Sequence, residues 1–73
     1  MNPPPALGAY VVDLTSGRVG RVLARVGRLL RLAPVGGGRE WNCDQDDVRP
    51  ATASERLSAA TAYVNARSRG ELP

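Results

Sequence analysis

Arginines alternate with valines and leucines through the run Arg18–Leu32, and two glycines interrupt it at positions 20 and 27. The apolar residues recur at spacings of three and four, which is the pattern of an amphipathic helix. Each glycine, however, destabilises a helix interior by about 0.8–1 kcal/mol. These glycines constrain the fold more than any other feature, because they decide whether the run is one helix or two strands.

The strand interpretation divides the run into a hairpin. Gly20, Val22, Ala24 and Val26 alternate with Arg21, Leu23 and Arg25, and Gly27 supplies a tight turn. The strands would be Val19–Arg25 and Arg28–Ala33, each of ordinary length. The pattern alone leaves the two interpretations nearly even, and the β-rich flanks favour the hairpin. A basic helix over Arg18–Leu32 would instead suggest a membrane-surface or partner-helix role.

The flanks carry further strand signals. Ala9–Leu14 is rich in residues that suit a pleated sheet, and Thr15–Gly17 follows as a turn. After a glycine-rich loop at Pro34–Gly38, the segment Arg39–Cys43 predicts a short strand with Trp41 and Cys43 facing inward. Asp44–Asp47 then forms a turn, or one helical turn, that leads to Val48.

A C-terminal helix is predicted over Ser54–Arg69. Thr52 and Glu55 have the spacing of a capping box, and Gly70 suits the position after the last helical turn. One helix stripe carries the apolar positions Leu57, Ala60, Thr61 and Val64.

Two resemblances accompany this order of elements. Val11–Asp13, followed by Ser16–Val22, resembles the opening of SH3-like and KOW-like small barrels. More of the chain is similar to a group of short uncharacterised proteins of Streptomyces and related actinobacteria, on the motifs Val11–Asp13, Ser16–Gly20, Gly36–Trp41 and Asn65–Gly70. The resemblance implies a mostly β fold with one α-helix: an SH3-like small β-barrel of about four to five short antiparallel strands followed by a C-terminal helix. It implies no specific activity.

The expected domain organisation is a disordered, proline-rich lead-in at 1–8, the barrel at 9–52, a helix packed on the barrel at 53–70 and a tail at 71–73. A chain of 73 residues buries only roughly 60% of the surface that it exposes when unfolded. Such a domain does not hold both a large core and a deep substrate cavity.

The cationic residues are ten arginines with no lysine, and the formal net charge is +3. Together with the abundance of alanine, glycine, valine and proline, this usage predicts a high-GC bacterial source. Arginine as the default cation weakens the inference to phosphate recognition, so the charge permits nucleic-acid binding without requiring it. A single cysteine excludes an internal disulfide, and no segment suits a signal peptide or a membrane span. We therefore expect a cytoplasmic protein with no membrane partner.

No catalytic or cofactor motif stands out. Cys43 with Asp44, Asp46 and Asp47 matches neither a zinc spacing nor an EF-hand, so no metal is expected. Cys43 has no histidine or lysine to act as a base, and the glycine run lacks the P-loop signature. We expect no enzyme activity and no cofactor.

Two interpretations of the single tryptophan remain open. Trp41 suits core packing in a chain without phenylalanine, and this is favoured over an exposed aromatic platform shared with Tyr10. The candidate binding surface comprises Tyr10, Arg21, Arg25, Arg31, Arg39 and Trp41. The expected function is a non-enzymatic binding or adaptor module that acts through protein–protein contact. The alternative is a nucleic-acid-binding barrel that uses the arginine-rich hairpin, and a homodimer is left open.

Overall fold

A computed structural model of the chain describes residues 5–68, with side chains through Thr61. The described part is mostly β with a single C-terminal helix, which confirms the predicted fold class. The first four residues of the predicted lead-in, the side chain of Val64, Gly70 and the tail at 71–73 lie outside this part. The elements in chain order are β1 (Tyr10–Asp13), β2 (Val19–Val26), β3 (Leu29–Pro34), β4 (Trp41–Asp44), a single 3-10 turn (Gln45–Asp47), β5 (Val48–Pro50) and α1 (Ala53–Ser68).

The arginine-rich run is a β-hairpin, as the glycines predicted. β2 and β3 pair antiparallel from Gly20↔Pro34 to Val26↔Leu29, with an irregularity between Val22 and Ala24. Gly27 adopts a φ of 59°, a left-handed conformation that costs glycine little. β2 ends one residue later than predicted, at Val26, and β3 is shifted one residue toward the C-terminus, to Leu29–Pro34. The helical interpretation of the run is therefore wrong.

The five strands form one antiparallel sheet in the order β4-β3-β2-β1-β5. The 3-10 turn therefore joins the two edge strands. The four peptide steps from Asp44 to Val48 reach at most about 14 Å, whereas the edges of a flat five-stranded sheet lie about 19 Å apart. The sheet must curl to bring its edges together, and the fold is accordingly barrel-like.

The core lies on the inner face of this curled sheet. It consists of small aliphatic side chains, with Trp41 and Val48 packed against its margin; the buried members are Val11, Val22, Leu30, Leu32 and Cys43. Residues 5–8 of the predicted lead-in lie beside β2, because the Gly8 N–H donates to the Val22 carbonyl oxygen at 2.7 Å. The ordered chain thus begins before β1.

Helix α1 begins with the predicted capping box. The Thr52 hydroxyl accepts a hydrogen bond from the Glu55 N–H at 3.1 Å, and the Glu55 carboxylate accepts one from the Thr52 N–H at 2.9 Å. The helix starts one residue earlier than predicted and contacts β2. Leu57 on the predicted apolar stripe is nevertheless 69% exposed. The helix therefore leaves apolar surface uncovered beside the barrel.

Candidate functional site

Trp41 lies at the margin of the core, at the start of β4. It pairs with buried Leu32 of β3, so its ring is on the inner face of the sheet. The ring packs over Gly20: a Cβ built on that glycine would lie 2.8 Å from the far edge of the indole. The missing side chain at Gly20 therefore makes room for the ring.

A buried carboxylate orients the Trp41 ring. Asp13, at the end of β1, is 3% exposed and accepts a hydrogen bond from Trp41 Nε1 at 2.9 Å. Its other oxygen accepts from the N–H and the hydroxyl of Thr15 at 2.8 and 2.6 Å. Burial by itself raises the pKa of the Asp13 carboxyl, but the hydrogen bonds from Thr15 and Trp41 outweigh it and hold the pKa well below its usual range. The carboxylate is therefore ionised and structural.

Arg18 lies over the Trp41 ring, with its guanidinium carbon 3.9 Å from the ring centroid. This is a cation–π contact. The half-buried ring therefore contacts Asp13 at its nitrogen, Gly20 at its far edge and Arg18 over its face. Trp41 is thus packed as the core interpretation predicts, although it is not fully enclosed.

Tyr10 lies on the opposite face of the sheet. Its neighbour Val11 points into the core, and side chains alternate along a strand, so the Tyr10 ring is on the outer face. Trp41 shares the inner face, and the two rings therefore do not form one platform. The hypothesis that Tyr10 and Trp41 form a shared platform is therefore wrong, because the two side chains lie on opposite faces of the sheet.

An open groove runs between this outer face and helix α1, with a volume of about 380 Å³. Its lining is mostly apolar and comprises Tyr10, Val35, Ala53, Arg56, Leu57 and Ala60. The Arg56 guanidinium carbon lies 4.1 Å from the Tyr10 ring centroid. Of these residues only Tyr10 belongs to the surface predicted from the sequence. The apolar helix stripe with Leu57 and Ala60 is the sequence signal for this surface, but the prediction was that the helix packs on the barrel.

Two of the four arginines in the β2–β3 hairpin form ion pairs within the protein. Arg31 donates to Glu40 at 2.6 Å, and Arg28 is paired with Asp46 and, at 3.4 Å, with Asp44. Among the predicted binding residues, Arg21, Arg25 and Arg39 are exposed and have no ion-pair partner within residues 5–68. The predicted surface is therefore dispersed, since Arg25 lies by Pro5–Leu7 and Arg31 is held by Glu40.

The acidic turn and its cysteine offer little reactivity. Burial raises the pKa of the Cys43 thiol to about 11, and the nearby Asp13 carboxylate adds to the effect. A protonated, buried thiol is a poor nucleophile and a poor metal ligand. Within residues 5–68, no three metal-ligating side chains converge. Over the same span, no helix is long and apolar enough to cross a membrane.

No protein-family model, no curated protein and no solved structure matches this chain. The resemblance to short actinobacterial proteins with an SH3-like barrel therefore stays a prediction. The groove beside α1 is the candidate functional site on geometry alone.

Proposed function

We propose that this protein is a small, non-enzymatic binding module that acts through protein–protein contact, and that the groove between β1 and α1 is its binding surface. The observation that carries the proposal is the exposure of Leu57, at 69%, on the rim of a mostly apolar groove. A domain of this size leaves such a side chain in water at a cost of roughly 1.5–3 kcal/mol relative to burial. Contact with a partner would recover that free energy.

The residue types around the groove also suit a protein interface. Tyrosine and arginine are enriched at interfaces, and hot spots favour rigid aromatic rings with neighbouring arginine. Tyr10 and Arg56 both line the groove, and the Arg56 guanidinium lies over the Tyr10 ring. The groove is shallow and open, which favours a peptide segment or a side chain over a small-molecule substrate.

Nucleic-acid binding is the second candidate, and exposed Arg21, Arg25 and Arg39 support it. The ion pairs of Arg28 and Arg31 count against it, because in each pair a carboxylate already neutralises the arginine that would have to bind a phosphate. Binding through the remaining arginines would weaken steeply with salt. Fluorescent single- and double-stranded DNA and RNA, titrated at low salt, test this candidate directly.

The experiment for protein contact compares the wild type with Leu57→Glu and Ser58→Glu. Both variants place a carboxylate on the exposed surface of α1, but only Leu57 lines the groove. Proteins captured from the native host by the wild type would be purified and their affinity measured by calorimetry. We expect Leu57→Glu to weaken binding roughly ten- to a hundredfold, and Ser58→Glu to bind like the wild type.

Two results would count against the proposal. One is a purified partner that binds Leu57→Glu as tightly as the wild type, which would place its contact elsewhere. The other is retention of nucleic acid alone, with a salt-dependent affinity that Leu57→Glu does not change.

We infer that the module works in the cytoplasm of an actinobacterium. The arginine-only cation usage and the motifs Val11–Asp13 and Gly36–Trp41 support the source, and the single reduced cysteine is consistent with the compartment. Fractionation of such a host, followed by immunodetection of the protein, tests the compartment.

A further inference from the structure

We propose that the groove between β1 and α1 recognises an acidic peptide segment of a partner protein, in which an apolar side chain lies next to one or more carboxylates. The inference rests on the proposed protein-binding function and assigns the chemistry of its ligand. It is carried by two arginines, one that lines the groove and one that lies opposite Tyr10 on β2.

The first cation is Arg56, which lines the groove itself. Its guanidinium lies over the Tyr10 ring, with the central carbon 4.1 Å from the ring centroid. A cation–π contact of this kind uses none of the guanidinium N–H groups as hydrogen-bond donors, so they can bind other acceptors. No carboxylate within residues 5–68 forms an ion pair with Arg56. Among the described residues, Arg56 is therefore held by Tyr10 and has no carboxylate partner.

The second cation is Arg21 on β2, which pairs directly with Tyr10 across the β1–β2 ladder. Directly opposed residues share a face of the sheet, with Cβ atoms about 5 Å apart. Arg21 is exposed and also lacks an ion-pair partner within the described residues. Tyr10 thus has one arginine from the helix and another from the neighbouring strand.

Glu55 and Glu40 are both paired with arginines that do not line the groove. Glu55 binds Arg49, with one N–H···O contact at 2.8 Å, and accepts the Thr52 N–H of the capping box. Glu40 binds Arg31. Among the described residues, no acidic side chain lines the groove. The positive charge beside Tyr10 is therefore uncompensated within this part of the chain, and a carboxylate complements it.

The apolar part of the groove sets the second requirement. Val35, Leu57 and Ala60 line the groove together with Tyr10 and Arg56. A leucine-sized or phenylalanine-sized side chain fits a groove of about 380 Å³ that stays open to solvent. An apolar anchor with adjacent aspartate or glutamate meets both requirements at once. A basic peptide would place like charges beside Arg56 and is disfavoured.

The test selects binders from a displayed library of short random peptides with the full chain as bait. The enriched peptides are synthesised in two forms, one native and one with every aspartate and glutamate replaced by its amide. We expect enrichment of carboxylates next to leucine or phenylalanine, and roughly tenfold weaker binding of the amide forms. Arg56→Gln and Arg21→Gln should weaken binding of the carboxylate peptides. Arg28→Gln, which removes an arginine that is paired with Asp46 and lies outside the groove lining, should not.

The outcomes separate the two proposals. Enriched peptides that depend on Leu57 but are neutral or basic would overturn the acidic chemistry and leave the groove as a binding site. Peptides that bind Leu57→Glu and Arg56→Gln as tightly as the wild type would overturn both proposals. The absence of enrichment over an empty support would also contradict both.

Discussion

The Asp13 carboxylate is the structural feature most open to a quantitative test. It accepts three hydrogen bonds, one from Trp41 Nε1 and two from Thr15. In Asp13→Asn, an NH2 group replaces one of the two oxygens and faces a donor. Thr15 is exposed and can turn to water, but the half-buried indole N–H has fewer alternatives. A hydrogen bond to a charged group contributes about 1.5–3 kcal/mol.

We therefore expect Asp13→Asn to lower the free energy of unfolding by about 2–3 kcal/mol. A chain of this length has a total stability of roughly 4–11 kcal/mol, so the loss is a large share. The matched control is Asp47→Asn, which removes the same charge from an exposed side chain and should change stability by less than about 0.5 kcal/mol. Urea unfolding, followed by Trp41 fluorescence and by far-ultraviolet circular dichroism, measures both.

The pH dependence gives an independent measure of the same carboxylate. The pKa of an aspartate in an unfolded chain is about 3.9, and the pKa of Asp13 in the folded protein lies below that ordinary value. The stabilisation is therefore present above the unfolded pKa and is lost as the pH falls through it toward the folded pKa. The wild type and Asp47→Asn should lose stability more steeply below about pH 5 than Asp13→Asn does. Parallel pH curves, or equal losses for the two variants at neutral pH, would refute this account of Asp13.

Three further predictions concern packing, capping and the thiol. Gly20→Ala should lower the free energy of unfolding by about 1–3 kcal/mol and shift the Trp41 emission, because its Cβ would lie 2.8 Å from the ring; an unchanged urea midpoint and emission would contradict that contact. Thr52→Ala should cost about 1 kcal/mol and reduce helical dichroism, whereas Thr52→Ser keeps the capping oxygen; equal dichroism for the two variants would show that the cap is dispensable. Cys43, with its pKa raised to about 11 and its side chain buried, should react slowly with Ellman's reagent at mildly alkaline pH and rapidly in guanidinium; fast labelling of the folded protein would indicate an exposed thiolate.

Local signals in the sequence were sufficient for most elements of the fold. The turn at Gly27, the strand before Thr15 and the capping box of Thr52 and Glu55 each depend on a few neighbouring residues. Glycine conformations, capping geometry and pleat alternation act over short distances, so they can be recognised without the rest of the chain. The mostly β fold with one C-terminal helix followed from these signals.

The binding surface could not be predicted as well. Arg31 was a candidate contact, but the register of β3 with β4 brings it to Glu40. A shared aromatic platform of Tyr10 and Trp41 was one hypothesis, but the face of the sheet on which each ring lies is known only once the buried neighbours are known. Arg56 and Leu57 were not candidates, because only the placement of α1 beside β1 makes them a groove.

By itself, the sequence determined where the chain turns, which segments extend and where the helix begins. For the arginine-rich run, the flanking strands in the sequence favoured a hairpin and the tertiary structure decided it, since the run's own pattern suits a helix nearly as well. That choice depends on β2 pairing with β1 and on the Trp41 ring seated over Gly20. Asp13 and Trp41 are 28 residues apart in the chain. Contacts over such separations depend on strand register and sheet curvature, which no local pattern encodes.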